Sequence, residues 1–78
     1  MIEVGKKYFI AIDEDSELAG DLQRSSASKD INCGRLLGKI EYLHAYGFLF
    51  KLERYPKVAT LNIKWDILKF IYNEEDGG

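Results

Sequence analysis

The amino-acid sequence predicts a mainly β domain: five short antiparallel strands in a small, partly open barrel, with a long first loop and a short helical turn before the last strand. Three observations carry this expectation. Residues 33–53, CGRLLGKIEYLHAYGFLFKLE, alternate apolar and polar side chains, turn over at a glycine, and alternate again, which is the period of strands with one buried face. The stretch ATLNIK at 59–64 repeats the alternation after the turn residues RYPK, so a third strand follows. KKYFIAI at 6–12, behind Gly5, is short and rich in aromatic and β-branched residues, as a first strand is.

Taken in order, the first strand gives way at Asp13 to DEDSELAGDLQRSSASKDIN, polar and serine-rich. This reads as a long surface loop over 13–32 with one helical turn around Ser16 to Leu22. In the next strand Leu36, Gly38, Ile40 and Tyr42 share a face, and in the one after it Phe48, Phe50 and Leu52 do. The faces coincide if Tyr42 pairs with Phe48, Ile40 with Phe50 and Gly38 with Leu52, the chain reversing through HAYG with Gly47 at positive φ. On the far side, pairing Leu52 with Ala59, Phe50 with Leu61 and Phe48 with Ile63 sends both hairpins to one core, and Pro56 falls in the turn, where no ladder donor is needed. WDIL then suits a tight helical turn and KFIY a short last strand; the alternative is one helix from Trp65 to Tyr72 with Trp65, Leu68 and Tyr72 inward.

Seventy-eight residues, 46% of them hydrophobic and ten of them aromatic, form one small domain. Residues 1–73 are expected to make it, with 74–78 as an acidic flexible tail. The apolar run Tyr8 to Ile12 is too short for a membrane span or a signal peptide's apolar region. Cys33 is the single cysteine, so no disulfide closes within the chain, and a reducing, cytoplasmic setting fits. The net charge of −2 hides an uneven distribution: residues 13–21 hold five acids and no base, and residues 22–73 hold nine bases and four acids. An acidic loop therefore precedes a basic body.

The order strand, long loop, three-stranded meander, tight turn, short strand resembles the Src homology 3-like small barrel shared by Src homology 3, Tudor and KOW modules. The resemblance implies a fold for nearly the whole chain, and no site comes with it. Proline-peptide-binding members carry ALYDY where this chain reads YFIAIDEDSE, so their aromatic groove is not implied. GRLLGKIEYL is superficially similar to Sm-like barrels, without their aspartate and asparagine near His44. A Tudor-like cage needs several aromatics at one end; Tyr8, Tyr46 and Tyr55 are candidates, and simple packing is the plainer reading.

Catalysis and cofactors are not expected. Asp13, Asp15 and Glu17 have the odd spacing of a calcium loop, yet Leu18 stands where its glycine belongs and Arg24 where its bidentate glutamate belongs. Cys33 and His44 sit at opposite ends of one strand, roughly 30 Å apart at strand rise, too far for a nucleophile and base. Phosphate loops, metal-ligand clusters and nucleophile elbows are absent from the sequence.

Function is expected at the surface. Lys39 faces Lys51 across two strands, with Thr60 next in the row; like charges so placed favour an anion over them, unless both side chains splay into water. The same face carries Leu37, Leu43 and Leu49, with Leu49 between Glu41 and Asn62. An apolar patch with a charged rim suits a protein contact or a homodimer, unless Leu18, Leu22 and Ile31 of the long loop cover it. The leading expectation is a non-catalytic module, a small regulator, adaptor or inhibitor, of a size common among phage and mobile-element proteins. It would present Leu37, Lys39, Leu43, Leu49 and Lys51, with Asp13, Glu14, Asp15 and Glu17 of the acidic loop, to a larger protein partner. The alternative is a nucleic-acid-binding barrel using Arg35, Lys39, Lys51, Arg54, Lys57 and Lys64.

Overall fold

The structure, a computed structural model, describes residues 2–25, 33–53 and 60–73. The chain is mainly β, with five antiparallel strands in one sheet: β1 (Lys7–Ile12), β2 (Leu36–His44), β3 (Gly47–Leu52), β4 (Leu61–Lys64) and β5 (Leu68–Asn73). Spatial order is β4-β3-β2-β1-β5. One helix, α1 (Glu17–Ser25), lies between β1 and β2. The Cα radius of gyration of 11.6 Å is that of a compact globule, since a domain of this length gives about 11–12 Å.

The connection from β4 to β5 dictates how the sheet bends. These strands form opposite edges, about 19 Å apart in a flat five-stranded sheet, yet Trp65–Ile67 alone join them. Four Cα steps reach at most about 14 Å. The sheet is therefore curled, although no ladder pairs β4 with β5 and it does not close. Two bulges help it bend: Glu41 is the extra residue of β2 against β3, and Lys69 that of β5 against β1.

Inside the curl, alternate residues build one core from Tyr8, Ile10, Ile12, Leu36, Ile40, Phe48, Phe50, Leu52, Leu61 and Ile63. Gly38 faces the same way and makes room for a ring. A Cβ there would lie 2.7 Å from Phe50 Cε2 and 2.4 Å from the Lys51 carbonyl oxygen. Tyr8 is buried with its hydroxyl accepting the Glu3 N–H at 2.8 Å, which satisfies its polar end.

Several pairings follow the sequence, namely Gly38 with Leu52, Lys39 with Lys51, Ile40 with Phe50, Phe50 with Leu61 and Phe48 with Ile63. Beyond Ile40 the expected register fails. The bulge at Glu41 pairs Tyr42 with Leu49 and Leu43 with Phe48, so Tyr42 points out, 59% exposed, and Leu43 packs against the core. The reversal uses two residues, Ala45 and Tyr46, and Gly47 is already in the strand without positive φ. Positive φ occurs at Gly5, at +91°, where the Gly5 N–H donates to Ile40 O at 2.8 Å.

The first loop also differs from expectation, because it holds a nine-residue helix. Ser16 caps it: its Oγ accepts the Ala19 N–H at 3.2 Å and donates to Asp13 O at 2.6 Å. Leu18, Ala19 and Leu22 supply a short apolar stripe, Ala19 and Leu22 entering the core and Leu18 packing against it. Residues 65–67 make the tight turn expected, with the Ile67 N–H on Lys64 O at 3.1 Å and the Leu68 N–H on Trp65 O at 3.3 Å; the single-helix alternative from Trp65 to Tyr72 is overturned by β5. The 54–57 turn, the Leu52–Ala59 pair, Ile31 and the 74–78 tail lie outside the described residues.

Cys33 is 3% exposed beside the core. Burial, and then the Glu14 carboxylate, push its thiol pKa up. A raised folded-state pKa leaves folding unpenalised while the thiol stays protonated and lowers stability once pH climbs past the ordinary thiol range. Native protein is thus expected to alkylate slowly at pH 8, with a burst of labelling on adding urea, and to lose thermal stability at alkaline pH. Equal labelling rates in native and unfolded protein would contradict this burial.

Candidate binding face

Strand alternation sends one set of side chains away from the core, and the pairing lines them up in rows. Tyr72, Phe9 and Leu37 form one row across β5, β1 and β2, and Lys7, Lys39 and Lys51 form the next across β1, β2 and β3. Leu49 lies between Tyr42 and Asn62 on the far side, where the bulge has taken Glu41 out of the pair expected for it. Phe70 stands opposite Ala11 and is 49% exposed.

These aromatics touch one another. The Phe9 and Tyr72 ring centroids are 5.5 Å apart, and Phe70 stacks on Tyr72 at 5.7 Å with 20° between planes. The Arg35 guanidinium carbon sits 4.4 Å above the Phe9 centroid, within cation–π range. Lys7 Nζ also pairs with Glu53 Oε1 at 2.5 Å, relieving part of the like-charge crowding in the lysine row. Tyr72, Phe9, Leu37 and Phe70 form an apolar and aromatic strip, the Lys7–Lys39–Lys51 row runs beside it, and Leu49 lies beyond that row.

Of the residues expected at the interface, Leu37, Lys39, Leu49 and Lys51 are brought together here. Leu43 leaves the set, since the bulge turns it inward. The acidic residues also stand apart, belonging to the segment that caps α1, whose apolar stripe enters the core from the opposite side of the sheet. Asp13 is half-buried, its Oδ1 accepting the Asp15 N–H at 3.0 Å; Glu14, Asp15 and Glu17 are exposed. Leu18 and Leu22 likewise go to the inner side, so this described part of the first loop leaves the outer face open.

Phe9, Phe70 and Tyr72 were missed by sequence reasoning. In YFIAI every residue is apolar, so alternation cannot say which side Phe9 takes, and the bulge at Lys69 sets the facing of LKFIYN. The available signal was Phe70 and Tyr72 flanking Ile71 at period two.

Among the described residues no three His, Cys, Asp or Glu side chains are grouped to hold a metal ion, and no helix is long and apolar enough to cross a membrane. Compared with protein-family models, curated proteins and solved structures, the chain finds no match.

Proposed function

We propose that the chain is a non-catalytic protein-binding module on a partly open, Src homology 3-like barrel, a cytoplasmic regulator, adaptor or inhibitor of a larger protein partner. The observation that carries this reading is the outer strip of Phe9, Leu37, Phe70 and Tyr72 beside the Lys7–Lys39–Lys51 row, with Leu49 on the other side of that row. Apolar and aromatic groups next to cations, all on one open sheet face, suit an apolar protein surface bearing carboxylates. Separation of charge supports it too: the acids of 13–21 cluster around α1, away from the cationic row, so a partner meets a basic face on a chain of net acidic charge.

A second reading is favoured by the aromatic stack itself. Phe70, Tyr72 and Phe9 beside a lysine row could stack the bases of single-stranded nucleic acid. Affinity capture from lysate with and without nuclease, using the wild type, Phe70→Asp, Leu49→Asp and the Lys39→Glu/Lys51→Glu double variant, separates the two. The protein reading expects a stoichiometric partner that survives nuclease and is lost with Phe70→Asp or Leu49→Asp. Nucleic-acid binding expects loss on nuclease treatment and a log–log salt slope of about −2 for three phosphate contacts. A retained partner indifferent to all these variants removes the outer face from both readings.

A further inference from the structure

Where β2 reverses into β3 and β4 into β5, the Ala45–Tyr46 turn meets the turn at Trp65–Ile67. The Trp65 N–H donates to the Tyr46 carbonyl at 2.9 Å, which fixes the two aromatic residues side by side. Trp65 is further held by the Phe48 ring beneath it, 5.4 Å between centroids. Both rings remain accessible, Tyr46 at 76% and Trp65 at 43%. Between them opens a mostly apolar depression of about 530 Å³, with Lys64 and Asp66 at its margin. It adjoins a second depression of about 340 Å³ that shares Lys64 and Asp66 and is lined also by Glu17 and Asp21. Asp21 is engaged by Arg24.

We propose that this cleft binds an arginine side chain from an extended segment of a protein partner. The chemistry selects that side chain over others. A guanidinium is flat, weakly hydrated and able to lie on aromatic faces while its N–H fork meets a carboxylate. Here two exposed rings stand beside Asp66, and Glu17 and the Arg24-engaged Asp21 line the adjoining depression. An ammonium would give up more hydration for a weaker stack, and an anion would meet the carboxylates. Among the described residues Lys64 is the single base lining either depression, and its flexible stem lets its charge swing to water. The cleft is formed chiefly by turns, and its binding is independent of the outer strip.

Trp65 is the single tryptophan of the chain, so its fluorescence reports occupancy directly. The probe is a capped Gly-Ser peptide carrying two arginines, compared with peptides in which lysine, trimethyl-lysine or glutamate replaces them. Arginine peptide is expected to shift Trp65 emission saturably in the millimolar range, lysine peptide to bind at least about threefold more weakly, and glutamate peptide to have no effect. Tyr46→Ala and Asp66→Asn should each weaken the arginine peptide at least about threefold with an unchanged circular dichroism spectrum. Phe70→Asp should leave the response intact, which separates this site from the outer face. Absence of a saturable shift, equal response to lysine, tighter binding of trimethyl-lysine, or indifference to Tyr46→Ala would each overturn the assignment.

Discussion

Gly47→Ala is expected to abolish cooperative folding or to cost roughly 3 kcal/mol or more, the upper end for overpacking. A Cβ at this position would lie 1.9 Å from the Ile63 carbonyl oxygen and 2.8 Å from both Ile63 C and Lys64 Cα. All three are backbone atoms, so no rotamer change relieves the clash and β4 itself must move. That strand is a four-residue edge that supplies Leu61 and Ile63 to the core, and its shift breaks the pairs Gly47–Lys64 and Phe48–Ile63. The Trp65–Tyr46 hydrogen bond next to it goes too. A small domain rarely has more than about 3–5 kcal/mol in hand, so urea titration should find little native protein. Gly20→Ala is the control. It sits inside α1, and its added Cβ would meet only the flexible tip of Arg24, 3.3 Å away, so a gain of about 0.5–1 kcal/mol is expected from helix propensity. A Gly47→Ala protein that melts with the wild type would mean that β4 does not pack where the structure has it.

The second large effect is expected at Phe48→Ala, a loss of about 3–5 kcal/mol as for other buried aromatics. Phe48 is fully buried, meets Phe50 edge-on at 5.9 Å, and pairs with both Leu43 and Ile63. Removing the ring empties the middle of the core and takes away the support beneath Trp65. Two readouts should therefore change together: the urea midpoint falls, and Trp65 emission moves toward that of a solvated indole even in protein that remains folded. Phe48→Leu, which keeps most of the volume, should recover much of the stability while Trp65 stays looser than in the wild type. Native-like Trp65 emission in folded Phe48→Ala protein would contradict the role given to this contact.

The two aromatic regions are reached differently by substitution. Phe70 and Tyr46 are exposed, and changing them should alter binding with little effect on folding; Phe48 and Gly47 are buried, and changing them alters folding first. Binding losses are interpretable only in the former pair. This is the reason that the outer strip is tested through Phe70→Asp and the cleft through Tyr46→Ala.

Period-two alternation by itself determined the three-stranded meander and most of its pairing, because a one-residue slip in either hairpin would turn Ile40, Phe50 and Ile63 to solvent. Composition bounded the chain to one small domain, and the spacing of charges foretold an acidic segment ahead of a basic one. The tertiary structure decided what alternation cannot express. A bulge adds a residue without marking the sequence, so the exchange of Tyr42 and Leu43 between faces, and the outward turn of Phe70, became fixed only by pairing with β3 and β1. Helix α1 was hidden because its apolar stripe is three residues long and pays off only against a core assembled from distant strands. Gly47 was legible as a special position, yet its reason is steric contact with β4 rather than backbone sign. The aromatic strip and the Tyr46–Trp65 cleft each join residues from separate strands or turns. Such proximity is a property of the curled sheet, which the three-residue link between opposite edges imposes.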